Sequence, residues 1–430
     1  MNKSLLNNAL DKLTLLHPKV IDLSLKRVYE FLKKLDNPHL KLPPTIHIAG
    51  TNGKGSTLSF IKNCMENDRK LVHSYISPHL IEFNERINLK GIPINDDLLL
   101  KYIHECEEKN KEKEITFFEF TTCLAFIAFS RVYADFLLLE VGLGGRLDAT
   151  NVIDKPSLSI ITPISMDHES FLGNTLEKIS KEKAGIMKAN VKTIVGKQKK
   201  SVLKVLKTQS KKIHSPLFIF GEDWIISRDK KQIKFETNDN TDYYPVPNLI
   251  GDHQIENVGI AIAALKQLKI NEKAIKSGVL STFWPARFQL LKRGSLIQKV
   301  KKENQLSEIW LDGGHNEEAG KAVAKTIQEL PQEKTYVILG MIKTKNIKKY
   351  LKYFQNLELE ITGIEIPEQY SYDEMEILNE CKKLNLKCFL SYDLQNAIDN
   401  IIEKAQKNSF RIIICGSLYL AGYILKINNY

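Results

Sequence analysis

The chain of 430 residues contains no Cys-x-x-Cys pair. Its six cysteines (Cys64, Cys106, Cys123, Cys381, Cys388 and Cys415) are scattered, which argues against zinc ribbons and a disulfide scaffold and suits a reducing compartment. No apolar run is long enough to span a bilayer, because the most apolar stretch, 121–142, is broken by Ser130, Arg131 and Asp135. The opening residues, MNKSLLNNALDKL, lack a continuous apolar segment and a small-residue cleavage site. Internal repeats and low-complexity tracts are missing, and no basic motif interleaved with aromatics marks a nucleic-acid surface. The expectation is a cytoplasmic protein with neither membrane nor nucleic acid as partner.

What the chain has is an ordinary globular balance, 43% hydrophobic and 26% charged, with a net charge of +11. Much of that charge is lysine spread over helical stretches, as at Lys199-Lys200, Lys211-Lys212 and Lys348-Lys349, and reads as solvated surface. The length allows two or more domains.

From 45 to 195, apolar strands alternate with helical patterns. Strands are expected at 45–49, 71–76, 136–141, 158–162 and 193–195, and helices at 56–67, 96–109, 118–133 and 175–188. Short β-like runs at 217–220 and 224–227 suggest an antiparallel insertion, followed by a helix over 254–268. A second alternating set places strands at 308–311, 336–339, 363–366, 388–391 and 411–415. The fold class expected is α/β: a P-loop-type, mainly parallel sheet domain with a small antiparallel β insertion (1–295), plus a smaller Rossmann-like α/β domain (296–430).

The sharpest signal is Thr45-Ile46-His47-Ile48-Ala49-Gly50-Thr51-Asn52-Gly53-Lys54-Gly55-Ser56-Thr57. An apolar strand enters a glycine-rich turn and then a helix carrying Leu58, Ile61 and Met65 at helical spacing. Backbone N–H groups in such a turn curl around phosphate oxygens, and the helix N-terminus adds positive charge. Lys54 can reach terminal phosphates, and Ser56 or Thr57 can offer a hydroxyl to magnesium. Ile48 stands where a strict Walker A motif has glycine. The implied ligand is ATP or GTP with Mg²⁺.

Other candidates fall just beyond strand ends, where ligands bind open α/β sheets. Glu140 closes a very apolar strand and precedes Gly142-Leu143-Gly144-Gly145, so it is a candidate metal ligand. Asp167-His168 follows the next strand. Lys183 shares the inward stripe of Leu176, Ile179 and Met187, so it should be deprotonated, paired or modified. Carbamylation by CO₂ would turn it into an anionic oxygen ligand. Asp312-Gly313-Gly314-His315 lies at a later strand end, and Arg287 near the domain junction could clamp phosphate oxygens.

With these residues assembled, the chain closely resembles the folylpolyglutamate synthase/dihydrofolate synthase family of the Mur ligase superfamily, over nearly its whole length. The matching segments include His47 to Thr57, Ser77-Pro78-His79-Leu80, Phe83-Asn84-Glu85-Arg86-Ile87, Phe117-Phe118-Glu119, Glu140 to Asn151, Glu182-Lys183-Ala184-Gly185, Gly251-Asp252-His253-Gln254 with Asn257, Asp312 to Asn316, and Gly416-Ser417-Leu418. The resemblance implies an ATP-dependent ligase that makes an acyl phosphate and lets L-glutamate displace phosphate, acting on dihydropteroate and reduced folates.

By the same resemblance, Asn52, Gly53, Lys54, Gly55, Ser56 and Thr57 with Asn257, Arg287 and Asp312 hold ATP. Ser56, Ser77, Glu140, His168 and Lys183, the last as N6-carboxylysine, serve Mg²⁺. Thr116, Phe117, Phe118, Glu119 and Leu147 line the pterin pocket, and Lys54, Lys183, His168 and His315 carry the chemistry. The run Leu16-His17-Pro18-Lys19 with Asn37-Pro38-His39-Leu40 looks like the bifunctional bacterial branch, and a monomer is expected. Ala286 and Gly314 replace the family's usual glycine and alanine, and Met341 to Asn346 departs from its Asp-Lys-Asp region. An enzyme restricted to polyglutamylation is the alternative. A cell-wall Mur ligase is disfavoured by the 77–80 and 83–87 segments, and a P-loop switch would lack glutamate-dependent phosphate release.

Overall fold

The structure, a computed structural model, describes residues 2–17 and 21–428. Pro18 and Lys19 of the N-terminal run lie outside the described residues. The chain divides into two compact units, one of residues 1–248 and 255–282, the other of 249–254 and 283–430.

The first unit is built on an eight-stranded sheet. Its strands are β1 (Thr45–Ala49), β2 (Val72–Tyr75), β3 (Ile87–Leu89), β4 (Ile92–Pro93), β5 (Phe136–Glu140), β6 (Leu158–Ile161), β7 (Thr193–Val195) and β8 (Leu217–Ile219), in the order β4-β3-β2-β5-β1-β6-β7-β8. From β2 to β8 every pairing is parallel. Each residue of β1 is buried, because helices cover both faces of a parallel sheet. Parallel strands share one carboxyl edge, so the segments after β1, β2, β5 and β6 all emerge together. The order places β1 between β5 and β6, the switch point at which α/β sheets open a crevice.

The helix Lys54–Asn67 leaves β1 and packs against the helix Glu272–Ser281. The approach is close: a Cβ added to Gly278 would fall 2.5 Å from Cys64 Cα. The very apolar helix Phe117–Arg131 lies against Phe31, Leu32 and Tyr75 in one large core. A three-stranded antiparallel sheet, β9 (Trp224–Asp229), β10 (Gln232–Thr237) and β11 (Thr241–Pro245), forms the insertion. The run at 217–220, expected within that insertion, instead pairs parallel to β7 as β8 and extends the main sheet.

The second unit holds six strands: β12 (Gln289–Leu290), β13 (Glu308–Leu311), β14 (Thr335–Leu339), β15 (Leu359–Gly363), β16 (Cys388–Phe389) and β17 (Arg411–Cys415). Their order is β12-β13-β17-β14-β15-β16, parallel except for β12. The units divide after 282, earlier than the expected 295, because β12 hydrogen-bonds to β13 and draws 283–295 into this unit. The expected strand at 363–366 is displaced to β15, where Glu360 faces outward to Lys334 and Lys404 between inward Leu359 and Ile361. The charged alternation concealed a buried face.

Candidate functional site

The turn after β1 is shaped by close approaches. Gly53 has φ +83°, and a Cβ there would sit 2.2 Å from Asn257 Oδ1, so buried Asn257 stands directly against the loop. A Cβ on Gly50 would lie 1.8 Å from Thr162 Oγ1. Thr162 donates to the Asn52 carbonyl at 2.7 Å, Thr51 Oγ1 donates to the Ser165 carbonyl, and Asn52 Nδ2 donates to Ser165 Oγ. Both glycines are therefore obligatory, and the loop is laced to the segment beyond β6. Gly55, Ser56 and Thr57 fall in the first turn of the helix, with Ser56 and Thr57 buried.

Two lysines meet at this turn. Lys54 Nζ donates to the Gly50 carbonyl at 3.3 Å and lies 3.9 Å from Glu140 Oε1. Lys183 Nζ donates to the same carbonyl at 2.9 Å from the helix Leu176–Ala184. Burial, reinforced by the charge of Lys54, lowers the Lys183 pKa to about 7, while Asp167 and Asp148 oppose the shift. The helix stops short of the expected 188 because Gly185 meets the backbone of Arg146, whose N–H donates to the Glu182 carbonyl at 2.7 Å.

Glu140 is buried at the end of β5 and accepts the Ser77 N–H at 3.3 Å. The hydroxyls of Ser77 and Thr57 are buried with no hydrogen-bond partner among the described residues. A buried carboxylate bonded to the backbone of a residue with an orphaned hydroxyl suits a hard, oxygen-seeking dication. Among the described residues no three His, Cys, Asp or Glu side chains cluster as a metal site. His168 has φ +51° and a half-exposed ring, 3.9 Å from Asp167 Oδ2.

Beneath the site runs a buried chain that the sequence reading did not single out. His47 Nε2 lies 2.9 Å from Thr150 Oγ1, and Thr150 donates to Asp148 Oδ1 at 2.5 Å. Thr150 has one proton, so His47 must donate through Nε2, leaving Nδ1 as the acceptor. Burial pushes the His47 pKa down to about 3 and that of Asp148 up. The other Asp148 oxygen accepts the Leu143 N–H, fixing the glycine-rich turn after Glu140. A buried carboxylate following Gly144-Gly145-Arg146 was the available signal.

The expected pterin-side residues divide. Thr116 and Glu119 form a capping box for the helix Phe117–Arg131, and Arg27 grips Glu119 through two hydrogen bonds of 2.9 and 3.0 Å. Arg27 also pairs with Asp22. Phe118 abuts Gly142, where a Cβ would lie 2.4 Å from its ring, and the Arg86 guanidinium sits 5.8 Å from the Phe117 centroid. Leu147 is half-buried in the same turn. Phe117, Phe118 and Leu147 can therefore offer apolar surface, while Thr116 and Glu119 are engaged in holding the helix.

In the second unit, buried Asp312 follows β13 and accepts the N–H groups of Phe288 at 2.9 Å and Gly314 at 2.8 Å. His315 Nδ1 lies 3.4 Å from the Gly313 carbonyl, and Asn316 caps the helix Glu317–Glu329. Arg287 Nη1 donates to the Ala286 carbonyl. The 341–346 loop holds Asn346, which caps the next helix by accepting from Lys349 N–H, and Lys343, which pairs with Glu376.

A phosphate-binding turn at a sheet switch point, with an acidic strand end beside it, matches the Mur ligase middle domain over 48–265. Residues 295–427 match the C-terminal domain of dihydrofolate synthetase. The chain belongs to the dihydrofolate synthase/folylpolyglutamate synthase family of ATP-dependent ligases. It is 30% identical over 429 residues to the Bacillus subtilis dihydrofolate synthase/folylpolyglutamate synthase, covering 94% of each chain. It is also similar to E. coli FolC in complex with DHPP and ADP, at 27% identity and a TM-score of 0.88, covering 99% of this chain and 97% of that one. A bifunctional folylpolyglutamate synthase/dihydrofolate synthase with Mn, AMPPNP and L-glutamate bound is similar at 25% identity and a TM-score of 0.85, covering 99% and 98%. Among the described residues no helix is long and apolar enough to cross a membrane.

Proposed function

We propose that this chain joins L-glutamate to dihydropteroate and to reduced folates, using ATP and passing through an acyl phosphate. The observation that carries the reading is the meeting of Lys54, Lys183 and Glu140 around the Gly50 turn, beside the orphaned hydroxyls of Ser77 and Thr57. The relatives named for these activities, and the structure with AMPPNP and L-glutamate, support it.

The P-loop N–H groups and Lys54 bind the phosphates, and Asn257 holds the loop side of the nucleotide. Arg287 and Asp312 are assigned to ATP from the second unit. Ser56, Ser77, Glu140, His168 and Lys183 would hold Mg²⁺, which supplies positive charge to the transferring phosphoryl group. Phe117, Phe118 and Leu147 offer the pterin an apolar wall. With its pKa near 7, Lys183 presents a neutral amine at physiological pH, the form that captures CO₂ as a carbamate. His315 is assigned to the glutamate side. The six free cysteines support a cytoplasmic setting, and the working unit of this reading is a monomer acting on small molecules.

Phosphate release from ATP, with L-glutamate and Mg²⁺ present, tests the reading. Release with both dihydropteroate and tetrahydrofolate is expected. Release with tetrahydrofolate alone would restrict the enzyme to polyglutamylation, and release independent of glutamate would overturn the ligase assignment.

A further inference from the structure

Arg287 stands between two residues in the left-handed region, Ala286 at φ +55° and Phe288 at φ +43°. Neither is glycine, and both are buried, with Ala286 wholly inaccessible. L-residues avoid this conformation because Cβ crowds the following carbonyl oxygen, so adjacent groups must hold it in place. Those groups can be traced atom by atom. Gln289 Oε1 accepts the Ala286 N–H at 2.9 Å. Asp312 Oδ2 accepts the Phe288 N–H at 2.9 Å, while its other oxygen takes the Gly314 N–H. The Ala286 carbonyl accepts the Gly313 N–H at 2.9 Å and the Arg287 guanidinium at 3.0 Å. Gly313 is the floor: a Cβ there would lie 3.2 Å from Arg287 Nη1.

We infer that Gln289 and Asp312 are positioning residues that fasten a left-handed bracket around Arg287 and so aim its guanidinium. The Asp312 carboxylate accepts the Phe288 and Gly314 N–H groups, so beside its own assignment to ATP it acts on the nucleotide through Arg287. Gln289 has one function in the bracket, accepting the Ala286 N–H, and its Nε2 has no partner among the described residues. Ala286 makes Gln289 necessary: a glycine at 286 would adopt the same φ without being held.

The inference rests on the assignment of Arg287 to ATP, and the test separates the two. Binding of AMPPNP with Mg²⁺ is measured by calorimetry on the full chain. Arg287→Ala should weaken binding at least about tenfold, and Gln289→Met, similar in volume but without the acceptor, should weaken it by about tenfold. Adding Ala286→Gly to Gln289→Met should restore affinity to within about threefold of the parent. A Gln289→Met protein that binds like the parent while Arg287→Ala binds poorly overturns the bracket. So does a double variant no better than Gln289→Met. Undiminished binding by Arg287→Ala would instead remove Arg287 from the nucleotide site, and the inference with it.

If Gln289→Met does not fold, the melting temperature of Ala286→Gly alone decides. Glycine suits a left-handed position, so melting at or above the parent value is expected, and a fall of several degrees overturns the bracket.

Discussion

Lys183 Nζ donates a 2.9 Å hydrogen bond to the carbonyl of Gly50, placing a buried amine against the phosphate-binding turn from a helix far along the chain. The hydrogen bond satisfies one donor, but burial and the nearby Lys54 make the ammonium form costly. The Lys183 pKa falls from 10.5 to about 7 on folding, so the unfolded chain binds the extra proton between those values. Stability of the ligand-free protein, kept free of CO₂, should therefore rise with pH from 7 to 10.5. The full effect is on the order of 5 kcal/mol, and Lys183→Met should flatten that profile in denaturant titrations.

With bicarbonate supplied, ¹³C NMR should show a carbamate signal that Lys183→Ala abolishes. Ligase activity should be lost in Lys183→Ala and partly restored by acetate, whose carboxylate can replace the missing oxygen ligand. An inactive variant untouched by acetate, with no carbamate signal in the parent, would exclude the modification.

Glu140→Gln keeps the shape and the hydrogen bond from Ser77 but removes the charge. Turnover should fall by at least about 100-fold, with a melting temperature unchanged or lowered, because Lys54 loses its carboxylate partner while one buried carboxylate is no longer desolvated. Wild-type turnover would refute its place among the metal ligands.

The buried His47 predicts an acid limit. Its pKa is about 3 in the folded chain and near 6.5 unfolded, so the unfolded state takes up the proton first as pH falls. Its contribution is intact above 6.5 and drains away between 6.5 and 3, at about 1.4 kcal/mol per pH unit. His47→Gln should show a shallower loss over this window, read by urea unfolding at stepped pH.

Glu119→Gln separates a substrate contact from a structural one. The capping box and the paired hydrogen bonds from Arg27 predict a loss of about 1–3 kcal/mol in stability, with the KM for dihydropteroate within about threefold. A raised KM at unchanged stability would make Glu119 a pterin ligand.

Much of this molecule was legible before folding. β1, β13 and β17 fall at the bounds expected, because an apolar run whose only charge, if any, is its first residue has one way to be buried. Lys183 was found because a lysine on an apolar stripe violates local patterning. The sequence concealed what depends on partners distant in the chain. Arg27 sits in an unremarkable basic helix, and only the fold brings it to Glu119. Gln289 and the left-handed Ala286 leave no periodic trace, since a turn's dihedral angles are set by the N–H acceptors around it. The pattern of β8 points to the antiparallel insertion rather than to the main sheet it joins, because a short apolar strand does not reveal its neighbour.

The contact between Gly278 and Cys64 also governs when the site can come into being. The phosphate-binding helix is synthesised early, yet the backbone against which it rests belongs to residues 272–281, and Cys64 Sγ reaches the Ile275 carbonyl from the opposite end of the unit. A nascent chain halted before that segment has the P-loop motif complete in sequence but its helix bare on one side. Nearly two-thirds of the chain must therefore be made before the helix that follows the phosphate-binding turn has its full packing partner.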